Sequence, residues 1–325
     1  MGLTTLAVGV AAVLDGAVGE PPRRVHPVAW SGRVVGAVDR EWGRPRLVGF
    51  VAALCLPLVA AGVTGGVVLA AALVRPTVGA VTAGVVLFVT TSLRRLLVVG
   101  RRVTGASETD LDGARAELRA LAGRDASTLS PGEVRSAVVE SLAENLADGL
   151  VAPLLGFAVG GAVGLRLSGL VAGVGSSVVT LSALAPSPVL SLALASAGAS
   201  WVKAVNTMDS MLGYRSKPVG WGPARLDDAV VWVPARVTAM LLAVVSLAPS
   251  ALVAAREWLG GVPSPNSGWP MGTLAAALGV RLVKPGVYTL GDGSLPTVAD
   301  AERARRRVAA AGGLAYLLAG VVAWG

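Results

Sequence analysis

The sequence predicts an all-α, polytopic integral membrane protein. Of its 325 residues, 54% are hydrophobic and 15% are charged, and its mean hydropathy is +0.68. An ordinary soluble domain carries about 25% charged residues. Several apolar stretches also reach the length of about 20 residues that a helix needs to cross a bilayer. These observations predict a multi-pass protein of the cell membrane, surrounded by membrane lipid.

The apolar stretches define the predicted spans in chain order. The first, Leu3 to Gly19, is a weaker candidate because it contains Asp15, and it lacks the basic start of a cleaved signal peptide. The other candidates are 47–74, 78–93, two spans within 150–202, 237–254 and 308–324. The stretch 150–202 is rich in Gly and Ser, which favour close helix packing in lipid. Residues 99–148 predict a soluble helical insert within one membrane-embedded catalytic domain, 1–325.

The net charge of +8 comes from arginine clusters. In a membrane protein, basic residues near the spans set its orientation, and no interleaving of basic and aromatic residues predicts nucleic-acid binding. The single cysteine, Cys55, excludes an internal disulfide and is predicted to be a small buried hydrophobe. His26 is the only histidine, which excludes sites built from two histidines.

An acidic stripe runs along the helix that begins at Ser130. Ser130 and Glu133 form the pattern of a capping box, with Pro131 in the first turn. Farther along, Glu140, Glu144 and Asp148 recur every four residues, so they share one helical face and repel each other. Magnesium prefers such carboxylates, and the stripe lies beside an apolar run. The alternative is a solvated helix face.

A second polar segment, 203–216, emerges from an apolar run. Lys203 and Asn206 share a helical face, and Asp209 follows three residues after Asn206. A third, 225–236, repeats polar groups at helical spacing. Lysine and arginine bind phosphate and carboxylate groups, so we expect the cations of both segments to converge; they are Lys203, Arg215, Arg225 and Arg236. The alternative for 225–236 is a ladder of side-chain contacts that only orients its helix.

Two further candidates lie outside these segments. His26 can act as a general base near neutral pH, or it can stabilise the turn before Pro27. Asn266 and Trp269 occupy a turn-type sequence that is able to expose polar groups and a broad aromatic face to a ligand. The alternative is a loop that caps a helix predicted from Gly272 to Leu282. Phosphate-loop and nucleophile-elbow motifs are absent from the sequence.

Taken together, these motifs resemble the cobalamin-biosynthesis CobD/CbiB family, the adenosylcobinamide-phosphate synthases. The resemblance rests on six segments in order: VHPVAWSGR (25–33), TTSLRRL (90–96), GRDASTLSPGEVRSAVVESLAENLADGLVAPL (123–154), KAVNTMDSMLGYRS (203–216), GWGPARLDDAVVWVPARVTA (220–239) and SPNSGWPMGTLAAALGVRL (264–282). They cover nearly the whole chain. The apolar stretch between Gly149 and Lys203 is longer than the family pattern leads us to expect.

The resemblance implies an ATP-dependent ligase that joins aminopropanol, or its O-phosphate, to a carboxylate of adenosylcobyric acid. Its implied partners are these substrates and other corrinoid-pathway enzymes, and its implied cofactors are Mg²⁺ and ATP as co-substrate. The candidate catalytic residues are then His26, Lys203, Asp209 and Asp228. The candidate substrate-binding residues are Asn145, Asn206, Tyr214, Arg215, Arg225, Arg236, Asn266 and Trp269, and the candidate metal ligands are Glu140, Glu144 and Asp148. The alternative function is a membrane carrier for an anionic metabolite, in which the same charges line a pathway.

Overall fold

Helices make up most of the computed structural model, which confirms the predicted all-α class. The structure describes residues 2–19, 21, 24, 26–119, 121–122, 125–173, 187–214 and 216–323. The helices are α1 (Leu3–Ala17), α2 (Pro27–Gly36), α3 (Pro45–Val74), α4 (Pro76–Thr90), α5 (Leu93–Ala106), α6 (Leu111–Leu118), α7 (Pro131–Leu146), α8 (Ala152–Gly173), α9 (Ser187–Leu212), α10 (Trp221–Val230), α11 (Trp232–Val245), α12 (Ser250–Trp258), α13 (Gly268–Leu278) and α14 (Val298–Val322). Short 3₁₀ turns at Pro218–Gly220 and Leu259–Gly261, and a π-turn at Ala147–Val151, connect some of them.

The chain divides into two compact units, and the single catalytic domain 1–325 stays a prediction. The first unit comprises Met1–Ser92, Ala152–Val230 and Tyr316–Gly325, and the second comprises Leu93–Val151 and Val231–Ala315. The expected insert, 99–148, lies in the second unit together with 231–315.

In the first unit, α8 and α9 pack closely through glycines. A methyl group on Gly160 would collide with the carbonyl oxygen of Leu194, and one on Gly198 would collide with that of Gly156. Only the missing Cβ lets the two backbones approach this far. The small residues of 150–202 therefore serve helix packing, as predicted. Helix α3 packs on α9 and buries Ala53 with Met208 and Leu212.

In the second unit, α7 forms the core. Its start is the predicted capping box: the Ser130 hydroxyl accepts a hydrogen bond from the Glu133 amide, and the Glu133 carboxylate accepts one from the Ser130 amide. A two-stranded antiparallel hairpin, β1 (Leu282–Lys284) and β2 (Tyr288–Leu290), lies against α7. The hairpin was not predicted, because each strand is only three residues long and the pattern before it is helical.

Four helical stretches of the described residues are long and apolar enough to cross a membrane: Pro45–Val74, Pro76–Ala106, Pro131–Gly169 and Pro188–Leu212. The second joins α4 and α5, and the third joins α7, the π-turn and most of α8. A fifth span results if the broken pair of Pro218–Val230 and Trp232–Val245 counts as one. These helices contain the predicted spans 47–74 and 78–93 and the two predicted within 150–202. The N-terminal helix, Leu3–Ala17, is shorter.

Two predicted spans are corrected by the structure. The stretch 237–254 is not one helix, because α11 ends at Val245, Leu247 adopts a positive φ of 52°, and Pro249 precedes α12. The stretch 308–324 belongs to a longer helix, α14, which starts at Val298 and is not among the four candidates. Four arginines in the first half of α14 lower its hydropathy; they are Arg303, Arg305, Arg306 and Arg307.

Cys55 is also corrected: it is exposed on α3. The outer face of α3 carries many exposed apolar side chains, including Leu54 and Leu58. In a membrane-spanning helix such a face meets lipid, so hydrophobicity alone does not indicate burial within the protein.

Candidate functional site

The predicted site residues fall into one group in each unit. The first unit holds His26, Lys203, Asn206, Asp209, Tyr214, Arg225 and Asp228, and the second holds Glu140, Glu144, Asn145, Asp148, Arg236, Asn266 and Trp269. Arg215 lies outside the described residues. The expected convergence of Lys203, Arg225 and Arg236 stays a prediction, because Arg236 belongs to the second unit and the other two cations belong to the first.

Arg236 organises the first cluster of the second unit. Its guanidinium donates to the backbone oxygen of Trp232 at 2.9 Å, to the side-chain oxygen of Asn266, and to the backbone oxygen of Pro265 at 3.3 Å. The same group lies 4.3 Å from the ring centre of Trp232 and 5.6 Å from that of Trp269. A planar cation near two indole rings gains from cation–π attraction as well as from hydrogen bonds. We call this arrangement the Arg236 cluster.

The cluster brings together three residues that the sequence analysis assigned to substrate binding. Asn266 is only 3% exposed, and its backbone N–H donates to the Ser264 hydroxyl at 3.2 Å. Trp269 lies in the first turn of α13, which begins at Gly268 and ends at Leu278 rather than spanning 272–282. The backbone amide of Trp269 donates to the Asn266 carbonyl oxygen at 3.1 Å, and the N-cap residue Ser267 makes no side-chain capping bond. A role of this loop in substrate binding stays a prediction. The indole faces of Trp232 and Trp269 are the part of the cluster suited to a flat apolar ligand.

Glu140 is buried in the second unit at 1% exposure. One carboxylate oxygen accepts from the Ser136 hydroxyl at 2.9 Å, and the other accepts from the Tyr288 hydroxyl at 2.8 Å. Ser136 in turn accepts from the Val283 amide at 2.7 Å. The carboxylate therefore fastens the hairpin to α7. Sequence spacing could not indicate Tyr288, because it lies 148 residues from Glu140.

Glu144 and Asp148 continue the acidic stripe and are half-buried. Asp148 lies in the π-turn, against which α11 packs. In the part of the chain that the structure describes, no group of three or more His, Cys, Asp or Glu side chains is placed to hold a metal ion. The residues present thus do not form a complete metal site by themselves. The roles of Glu140, Glu144 and Asp148 as metal ligands stay predictions. Protein-bound Mg²⁺ often uses one or two carboxylates together with substrate phosphates, and we propose Glu144 and Asp148 for this role because both carboxylate oxygens of Glu140 already accept hydrogen bonds.

Asn145, between these two carboxylates, is tied to the backbone. Its amide nitrogen donates to the carbonyl oxygen of Ser141 at 2.9 Å and to that of Leu121 at 3.5 Å. These contacts orient the side chain, and its expected role in substrate binding stays a prediction.

In the first unit, Asp209 and Asp228 lie on two helices, α9 and α10, that pack together. The negative charge of Asp228 disfavours a negative charge on Asp209. Gly213 makes the arrangement possible, since a Cβ at this position would collide with the Asp209 carboxylate. Two close negative charges form a suitable environment for a positively charged amine.

Lys203 and Thr207 line a cavity of about 480 Å³ bounded by α2, α3, α4 and α9. Most of the lining side chains are apolar. The Thr207 hydroxyl donates to the Lys203 carbonyl oxygen at 2.7 Å, and the Ser210 hydroxyl donates to that of Asn206 at 2.7 Å. These two hydroxyls are thus engaged by their own helix, as is common for such residues in membrane helices.

Lys217 was missed by the sequence analysis. Its ammonium group donates to the Asp39 carboxylate at 2.6 Å and lies 5.4 Å from the centre of the Tyr214 ring. The contact joins the segment after α9 to the segment after α2. No local pattern could have indicated it, because Asp39 and Lys217 are 178 residues apart.

His26 caps α2. Its Nδ1 accepts a hydrogen bond from the Val28 amide at 3.2 Å, and Pro27 occupies the first turn. The structure therefore realises the turn-stabilising alternative, with the histidine as acceptor. Arg225 is exposed on α10, and Asn206 is half-buried.

Comparison with known proteins shows a match over most of the chain. Residues 8–314 match the model of a family described as CobD/Cbib protein. A probable cobalamin biosynthesis protein CobD of Methanothermobacter thermautotrophicus is 32% identical over 296 residues, which cover 87% of this chain and 85% of that protein. No solved structure matches the chain.

Two bacterial relatives are similar over a greater length. The cobalamin biosynthesis protein CobD of Klebsiella pneumoniae is 33% identical over 318 residues, and the cobalamin biosynthesis protein CbiB of Salmonella paratyphi A is 31% identical over 322 residues. In both cases, 93% of this chain and 89% of the relative are covered.

Proposed function

The chain belongs to the CobD/CbiB family, and from this membership we propose that it joins aminopropanol, or its O-phosphate, to a carboxylate of adenosylcobyric acid by an amide bond. Membership gives the chain a role in cobalamin biosynthesis, which implies corrinoid substrates. The proposal of this particular reaction is supported mainly by how much of the chain matches the family model. Residues 8–314 include every candidate site residue, so the polar segments lie inside the shared region.

The chemistry requires activation of the acid. An ionised carboxylate does not accept an amine readily, so we propose that a carboxylate oxygen of the corrinoid attacks the terminal phosphorus of ATP and releases ADP. The amine nitrogen then attacks the acyl carbon of this acyl phosphate, inorganic phosphate leaves, and the amide forms. The ammonium form of the amine must lose its protons during this sequence.

The two groups of residues suit different parts of this reaction. The negative charge of Asp209 and Asp228 attracts the ammonium group of aminopropanol, and either carboxylate can accept its proton. Lys203 supplies a positive charge for a phosphate or carboxylate. In the second unit, the indole faces of the Arg236 cluster offer a surface for the flat corrin.

The proposal is tested with the purified full-length chain in lipid nanodiscs. Adenosylcobyric acid, aminopropanol phosphate, ATP and magnesium are supplied together and then omitted one at a time, and products are identified by mass spectrometry. We expect a corrinoid product with the mass of the amide, formed with one ADP per amide, and its loss in each omission. Product formation without ATP would refute the acyl-phosphate route. Absence of the amide in the complete mixture, with correctly folded protein, would refute the ligase proposal.

A further inference from the structure

The cavity beside Lys203 opens towards the lipid-facing surface of α3. Val59, Val63 and Val67 line it and are also exposed on the outside of this helix. On the opposite wall, Trp30 and Val34 of α2 are lining and exposed in the same way. Because α3 is a candidate membrane span, this rim faces the acyl chains of the bilayer.

The interior of the cavity combines apolar walls with a small polar patch. Its volume of about 480 Å³ lies within the range of typical ligand sites, about 300–1,000 Å³. Helix α9 contributes Ser200, Lys203 and Thr207 to one wall, at spacings that place them on a shared face. A ligand that matches this wall has an apolar body and an anionic or hydrogen-bonding end.

Besides the shape of the cavity, the buried hydroxyl of Ser200 indicates a ligand. Its side chain is 6% exposed, and no group among the described residues forms a hydrogen bond with its hydroxyl. A buried hydroxyl without a partner costs about 1–3 kcal/mol. An oxygen at the polar end of a bound ligand would satisfy it.

We propose that this cavity binds an acyl chain of an anionic membrane phospholipid, which enters between α2 and α3 with its headgroup towards Lys203. The apolar walls bury the chain, the positive charge of Lys203 complements the lipid phosphate, and the Ser200 hydroxyl donates to an ester oxygen. The long lysine side chain can reach towards the headgroup from within a span. The ligand is a membrane lipid and not a reactant of the proposed ligation, and its headgroup would compete with a substrate phosphate or carboxylate for the charge of Lys203.

The test is photolabelling of the full-length chain in nanodiscs that contain phosphatidylglycerol with a photoactivatable group in its acyl chain. No ATP, amine or corrinoid is added, so the result does not depend on the proposed function. We expect label on peptides from α3 and α9. Ala204→Phe and Ala60→Phe each place a ring in the cavity from a different wall, and each should reduce this labelling about tenfold, the effect of displacing roughly two buried methylene groups.

Leu58→Phe is the matched control. Leu58 is 62% exposed on α3 but does not line the cavity, so this variant should keep the labelling of the original chain. Thermal unfolding shows whether each variant is folded. If only one of the two cavity variants folds, that variant alone is enough for the comparison with Leu58→Phe. Equal labelling of a folded cavity variant and of Leu58→Phe would overturn the proposal.

A competition experiment tests the headgroup. Unlabelled phosphatidylglycerol should displace the label at lower concentration than phosphatidylcholine with the same acyl chains, and high salt should reduce the difference. Equal competition by the two lipids would overturn the role assigned to the anionic headgroup. Ser200→Ala should weaken labelling without lowering the unfolding temperature, because the hydroxyl has no described protein partner to lose.

Discussion

The guanidinium of Arg236 donates a hydrogen bond to the side-chain oxygen of Asn266, which lies 30 residues farther along the chain. Asn266 is buried, and its side-chain oxygen accepts this hydrogen bond from a charged donor. The planar fork of arginine also donates to the Pro265 carbonyl oxygen and lies near the centres of two indole rings. Lysine has the charge but not the geometry to make all these contacts.

Arg236→Lys should therefore lower the free energy of unfolding by about 1.5–3 kcal/mol, the range for hydrogen bonds to charged groups. The measurement is denaturation in detergent, followed by the fluorescence of the nearby tryptophans. Arg225→Lys serves as the control: Arg225 is exposed, so the change should stay within about 0.5 kcal/mol. Equal stability of the two variants would show that the cluster contributes little to the fold.

Glu140→Gln should destabilise the protein without changing its magnesium requirement. The new amide group would face one of two hydroxyl donors, Ser136 or Tyr288, and we expect a cost of about 1–3 kcal/mol. Tyr288→Phe removes one donor, and a double-mutant cycle should give a coupling energy of about 0.5–3 kcal/mol. An altered magnesium dependence in the Glu140 variant would instead indicate that Glu140 is a magnesium ligand.

Glu144→Gln and Asp148→Asn should each raise the magnesium concentration needed for half-maximal turnover, by about tenfold if each carboxylate contributes roughly 1.4 kcal/mol to binding. Turnover at several magnesium concentrations measures this. Glu133→Gln is the control on the same helix, since the Glu133 carboxylate caps the helix start. If turnover depends on magnesium concentration in the same way in all three variants and in the original chain, the acidic stripe does not bind the metal.

Asp209→Asn should reduce turnover by about 100-fold or more, the usual contribution of a general base. The free energy of unfolding should not fall, because the substitution removes charge repulsion with Asp228. Rate and unfolding are measured on the same preparation. Turnover within a few-fold of the original chain would exclude Asp209 from the reaction.

His26→Asn should retain the fold and most of the turnover, because asparagine is among the best N-cap residues. His26→Ala leaves the Val28 amide without its partner and should cost about 1 kcal/mol. The comparison separates capping from proton transfer. A large loss of turnover in a stable asparagine variant would make His26 the base after all.

Local sequence determined the helices and their starts. The capping box at Ser130 and the long apolar helix α3 follow from residues within a few positions of each other. Composition alone also predicted the membrane class, since exposing so many apolar residues to water would be unfavourable. Pro249 is a sequence signal for the end of the helix near Leu247, but the long apolar run around it favoured one continuous span.

Tertiary structure alone decided which polar residues meet. Glu140 and Tyr288, Asp39 and Lys217, and Arg236 and Asn266 are pairs whose members lie far apart in sequence. Helical spacing predicts only neighbours on one face, so it grouped Glu140 with Glu144 and Asp148. The hydrogen bond between Glu140 and Tyr288 depends on where the hairpin packs. That packing is determined by burial and shape summed over the whole unit, for which a single sequence carries no periodic signal.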